Sequence, residues 1–152
     1  MTTEFLTQLW QLNQTPAQGP IRKLTPDNYR NRLTPETASA GFIALHTAEV
    51  MHRFAQILFG RELSIHPQAS GGISDEGNPL DLVSVQQLVN DSFAMIAGYI
   101  QQTSDTQWAE IIQSPFGEVS RLQGLTFLMH HNSYHAGQIM QAIKKGNYFS
   151  HK

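Results

Sequence analysis

The chain of 152 residues contains no cysteine, so no disulfide can staple it, and this composition fits a reducing compartment. Charge is scarce: Asp, Glu, Lys and Arg make up 14% of the residues and the formal net charge is −2. The ten Lys and Arg are scattered, with Lys144 and Lys145 the densest pairing. The basic footprint that nucleic-acid binding requires is therefore missing, and no nucleic-acid partner is expected. Long apolar runs are lacking too. None approaches the ~20 residues of a membrane span, so no membrane partner is expected. The opening MTTEFLTQLWQLNQ has no basic region leading into an apolar stretch, which argues against a secretory leader. Period-two alternation is never sustained, so no convincing strand is expected. What remains is a cytoplasmic, soluble, all-α chain forming one domain over residues 1–152. Hydrophobic residues at 40% are enough to build a core at this length.

Four helical segments stand between well-punctuated loops. The first, about Thr3 to Asn13, spaces Phe5, Leu6, Leu9 and Leu12 helically and stops before a loop carrying Pro16, Gly19, Pro20 and Pro26. A short helical turn is expected around Asp27 to Arg32. The second helix starts at TPET, with Thr34 as cap and Pro35 in the first turn, and runs to Phe59 with Gly60 as its stop. Its apolar stripe is Phe42, Ile43, Val50, Phe54 and Ile57, and His46 lies within it. Residues 61–80 form a long Gly/Ser/Pro-rich connection, which in a compact domain is mobile or functional. Ser84 and Gln87 read as a capping box opening the third helix, whose buried side draws on Leu88, Phe93, Met95, Ile96 and Ile100. A short helical piece over Gln107 to Ile112 and the turn SPFG lead to a second capping box, Ser120 and Gln123. That box opens a fourth helix ended by Gly146. The simplest packing of such a chain is a four-helix bundle with long crossover loops.

Three of the seven histidines fall in HHNSYH, residues 130–135. His131 and His135 are four apart, so they stack on one helix face, and Leu128 and Ile139 place that face on the apolar side. Neutral imidazoles so placed form a bidentate platform for a divalent metal. His46, buried in the stripe of a facing helix, is the natural third ligand, because bundle metal sites draw on more than one helix. Spacing alone leaves a second reading open, in which these are hydrogen-bonded core histidines. His130 points about 100° away from His131 and reads as surface or as a supporting residue. His52 reads as a helix flank, His66 as a loop residue with some reach toward the site, and His151 as a loose tail. Glu49, one turn after His46, is either an ion-pair partner of Arg53, the preferred reading, or a supporting acceptor or general base near the metal. Gln138 is placed to hydrogen-bond near His135. Gly137 suits close helix packing, and Tyr134 suits an amphipathic interior position with a proton to donate.

The run SPFGEVSRLQGLTFLMHHNSYHAGQIMQAIKKG resembles the C-terminal signature of the DinB/YfiT-like four-helix-bundle superfamily. The likeness is closest in the HNSYHAGQI core, the PFG turn before it and the closing glycine. GFIALHTAEVMHRF is similar to that family's second helix. The resemblance implies an up-and-down-type bundle with a long crossover, a homodimer, and a divalent metal held by three histidines. By motif position these are His46, His131 and His135. Ala136 stands where many members carry arginine, so substrate contacts made by that arginine do not carry over.

Three neutral imidazoles leave a divalent ion its full charge and an open position, the arrangement of a catalytic site rather than a closed structural one. Zinc is the first choice, with nickel, iron and manganese as alternatives. The function expected is a metal-dependent enzyme acting on a small molecule, either a thiol S-transferase of the kind the resemblance suggests or a hydrolase. The alternative is a non-catalytic protein that binds metal or a small molecule, or a stress-related interaction protein. Beyond the trio no catalytic role is assigned, Glu49, Tyr134 and Gln138 being the residual candidates. The 61–80 loop and the Trp108–Phe116 region are expected to shape access.

Overall fold

The computed structural model describes residues 1–149; His151 lies outside the described residues. Four long helices carry the architecture: α1 (Thr2–Arg22), α2 (Ala40–Phe59), α3 (Leu82–Gln101) and α4 (Arg121–Lys145). Helices α2 and α4, α2 and α3, α1 and α4, and α1 and α3 pack against one another. Going round the bundle the order is therefore α1, α3, α2, α4. The α1–α2 and α3–α4 connections run between diagonally placed helices, and only α2 and α3 are both consecutive and adjacent. This departs from simple up-and-down neighbours and requires the long crossovers that the loop lengths foretold.

Helix α1 continues well past its expected end at Asn13 and carries Pro16 and Pro20 in its interior. A proline there forfeits a backbone hydrogen bond. At Pro16 the deprived carbonyl belongs to Leu12, which is 70% exposed and so open to water. Burial of Ala17, Pro20 and Ile21 holds the last turns. The inward face of α1 also differs from expectation. Leu6 and Trp10 are buried, whereas Phe5 and Leu9 are half exposed and Leu12 more so. Trp10 decides the rotation, because its indole both packs on Phe93 at 5.5 Å and donates to the Phe93 carbonyl.

Helix α2 begins at an Ser39 cap, whose hydroxyl accepts from Phe42 N–H, not at Thr34. Thr34 and Thr37 instead close a turn on each other. The stop at Gly60 is as expected, in the left-handed region at φ 66°. Helix α3 is capped by Asp81, which accepts from Val83 and Ser84, so its start lies upstream of Ser84. Its buried face includes Val85 and Val89, with Leu88 and Met95 only partly covered. The Ser120–Gln123 capping box of α4 is formed in full.

Short strands do occur. Asn31–Arg32 (β1) pairs antiparallel with Asn147–Tyr148 (β4), and Ile111–Ser114 (β2) with Gly117–Ser120 (β3). Two to four residues are too few to show alternation, which is why the sequence pattern does not reveal them. The helical turn expected at Asp27–Arg32 is replaced by a turn, with the Asn28 side chain bridging Thr25 N–H and the Lys23 carbonyl. The expected helical piece at Gln107–Ile112 is split: a 3-10 helix covers Asp105–Ala109, and Ile111 and Ile112 belong to the hairpin closed by SPFG.

The glycine that permits close helix approach is Gly124, where a Cβ would collide with Leu58; Gly137 has nothing within 4 Å of the corresponding position. Gly146 ends α4 in extended backbone, and it is glycine because the Arg32 carbonyl of β1 lies where a side chain would begin.

Candidate metal centre

Packing of α2 on α4 brings His46 against the stacked pair His131 and His135. The Nε2 atoms of His46 and His131 are 3.3 Å apart and those of His131 and His135 3.0 Å. The three residues form a group that could hold a metal ion, each offering one nitrogen, all within 4.8 Å of one another. All three are half-buried.

Two of the rings are oriented from behind. His46 Nδ1 is 2.7 Å from the Ala69 carbonyl, and His135 Nδ1 is 2.7 Å from Gln138 Oε1. Both partners accept, so both Nδ1 atoms carry the proton, and each Nε2 turns a lone pair toward the cluster. His131 stands between them. A proton on its Nε2 could satisfy one neighbour only, and its Nδ1 is buried with no hydrogen-bond partner. A cation at the meeting point would satisfy all three Nε2 lone pairs at once, so the donor set fits a metal. Burial, reinforced by the neighbouring imidazoles, holds His131 down to about 3. Burial also lowers His135, against the raising effect of its bond to Gln138. The fold thus disfavours protonation of these two rings, which leaves their nitrogens available to a metal.

The order of the site extends to Glu49. Its carboxylate, 2% exposed, accepts from Gln68 N–H, Ala69 N–H at 2.8 Å and the Ser70 hydroxyl at 2.8 Å. It is engaged by the 61–80 connection and not, as the spacing suggested, by Arg53, which is exposed. Since Ala69 presents its N–H to Glu49 and its carbonyl to His46, one peptide segment links the buried carboxylate to the ring. A second anchor pins the same connection: Asp75 pairs with Arg32 at 3.1 Å and accepts from the Ser39 N–H at the start of α2. Burial pushes the Asp75 carboxyl up, but the Ser39 and Gly77 hydrogen bonds and the Arg32 charge together bring it below its ordinary range.

Gln138 holds His135, as its spacing allowed. Tyr134 is 65% exposed and meets His135 edge-on at 5.2 Å, so it is not an interior residue. His130 is exposed. His66 lines a separate crevice with Glu49 and Gln68 and does not join the trio. His52 is half-buried with its Nε2 unpartnered, and burial lowers its pKa. Of the Trp108–Phe116 segment, Trp108 is buried against Phe59, and Phe116 reaches the site only through Phe127, which packs toward His131 at 6.2 Å.

Beside the trio opens a pocket of about 650 Å³ with His46 and His135 in its wall. Residues 69–73 form another wall, turned by Gly71 and Gly72 at φ 68° and 86°. The Ala69 carbonyl is the contributor that sequence reasoning missed: a backbone oxygen has no residue signature, and only the glycine pair marks the sharp turn beside it.

The model of the DinB family matches residues 1–147. No curated protein matches the chain.

Proposed function

The chain belongs to the DinB family, and from that premise we propose a metal-dependent enzyme acting on a small molecule, with His46, His131 and His135 as the ligands of one divalent ion. The observation that carries this reading is the convergence of three Nε2 atoms beside an open pocket. Zinc suits three imidazoles best, with nickel, iron and manganese as alternatives. When bound, such an ion supplies Lewis acidity, lowering the proton affinity of a thiol or water brought to it. The protein's own residues do the rest. Ala69 and Gln138 fix two rings in the ligating tautomer, and the pocket gives a small molecule access to one side of the cluster. The reaction class is thiol S-transfer or hydrolysis.

A non-catalytic binding role is favoured by one specific observation: the Glu49 carboxylate, the acidic candidate linked to the trio through Ala69, is occupied by three donors of the loop. Turnover of a model electrophile with a thiol separates the two. Family resemblance and the outward stripe of Phe5, Leu9 and Leu12 support a homodimer, to be checked by light scattering. A cytoplasmic location and a single domain over the whole chain complete the proposal. No helix among the described residues is long and apolar enough to cross a membrane.

The test is metal content of untagged protein purified without added metal, beside His131→Ala. Near-stoichiometric metal in the wild type and none in the variant is the expected result. No metal in the wild type, and no tight uptake on titration, would refute the proposal.

A further inference from the structure

The pocket beside the trio has a chemical character that narrows what can occupy it. Its sides are Phe42, Ile43 and Ala142, and its lips are Leu33 and Ile73, which are 48% and 46% exposed on two different loops. Large apolar side chains left half open to water at one mouth are covered when an apolar ligand enters. None of the described residues lining the pocket is Asp, Glu, Lys or Arg. Its polar groups, apart from the two imidazoles, are neutral: hydroxyls of Thr37 and Ser70, and amides of Gln138 and Gln141. A carboxylate held against this wall, clear of the histidines, would lose water without gaining a cationic side chain among the lining residues. The Arg32 guanidinium is engaged by Asp75 and the Thr37 carbonyl and is not among the residues lining the cavity.

Resting on the reading of this site as a small-molecule site, we propose that its ligand is an uncharged, predominantly apolar molecule with one donor atom directed at the histidines, and not an anionic peptide-like thiol. Selection comes from the wall: apolar surface is favourable in proportion to the area covered, whereas each unpaired charge is penalised.

Gly137 supplies a clean way to test this. It lines the pocket, and a Cβ there meets nothing within 4 Å, so Gly137→Leu adds bulk at the cavity wall without a clash at the backbone. Gly98, in α3, has equally open space and does not line the pocket, so Gly98→Leu is the control. The probe is the neutral dye N-phenyl-1-naphthylamine, whose fluorescence rises in apolar surroundings, titrated into metal-free and zinc-loaded full-length protein. The competitors are 4-phenylbutane-1-thiol, which is neutral, and glutathione, which carries two carboxylates.

The dye is expected to bind saturably to both forms, with affinity lowered at least about tenfold by Gly137→Leu and unchanged by Gly98→Leu. The neutral thiol should displace it at concentrations at least about 100-fold below those glutathione needs. Glutathione competing as well as the neutral thiol would overturn the proposal, as would dye binding that is absent or indifferent to Gly137→Leu. Zinc uptake is read separately in the same samples. Dye binding without zinc uptake would therefore refute the metal while leaving the pocket's preference established, and zinc uptake without dye binding would do the reverse.

Discussion

Glu49 is where a single substitution should separate stability from metal affinity. The carboxylate is buried and holds two backbone N–H groups and a hydroxyl of the 61–80 connection. Glu49→Ala orphans three donors, two of them on the buried residues Ala69 and Ser70. At about 1–3 kcal/mol per unsatisfied group, with water re-solvating part of the cavity, the loss is on the order of 3–5 kcal/mol. Glu49→Gln behaves differently. The Oε1 oxygen takes all three donors, and the second oxygen only shares the Gln68 N–H. An amide oxygen at the Oε1 position keeps one bond to each of the three donors, but it sets the new NH2 against the Gln68 N–H that the second oxygen had shared, so the cost is about 1–3 kcal/mol, still below that of Glu49→Ala.

The effect on metal follows through Ala69. Once its N–H is released, its carbonyl no longer holds His46 Nδ1 in place, and loss of such a supporting bond costs roughly 10–100-fold in affinity. Denaturant unfolding of metal-free protein reads the stability, and competition with a zinc chelator reads the affinity. Wild type, Glu49→Gln and Glu49→Ala should fall in that order on both axes. If Glu49→Ala loses stability but binds zinc as tightly as wild type, the Ala69 carbonyl does not orient His46 and the link is wrong. If Glu49→Gln loses as much affinity as Glu49→Ala, the carboxylate acts by its charge and not by holding the loop.

Gly137→Ala should stabilise the metal-free protein by up to about 1 kcal/mol, since the position is interior to α4 and sterically open. Gly124→Ala should destabilise it, because the new methyl meets Leu58 in the core; thermal unfolding of both variants checks the opposite signs. The metal-free protein should also lose stability as pH falls from about 6.5 toward 3. His131 is held to about 3 in the fold, whereas the unfolded chain takes up its proton near 6.5, so acid favours unfolding by up to about 1.4 kcal/mol per pH unit for that group. Denaturant midpoints across this range test it, and His131→Ala should flatten the slope.

The trio was legible because a helix repeats every 3.6 residues: the separation of His131 and His135 places them on one face wherever the helix goes. His46 was legible because an imidazole within the apolar stripe of α2 needs a partner, and the bundle supplies one from the facing helix. Caps fared unevenly for a physical reason. Ser120 with Gln123 encodes its reciprocal bonds locally, whereas Thr34 and Ser84 look like caps but are overruled by Ser39, whose N–H is fastened to the distant Asp75, and by the better acceptor Asp81. Two prolines could not forecast their own tolerance inside α1, because the burial of Ala17 and Ile21 that offsets them depends on α3 and α4. Glu49 shows the same limit from the other side. Its neighbour at i+4, Arg53, is the partner that local spacing offers, yet three donors presented together by a loop some twenty residues away outcompete one solvated guanidinium. A surface pair is worth about 1 kcal/mol or less, while hydrogen bonds to a buried charge are worth about 1.5–3 kcal/mol each. The three histidines of this site are thus written in helical period, and the apparatus that aims His46 is written in a loop whose backbone carries no residue code.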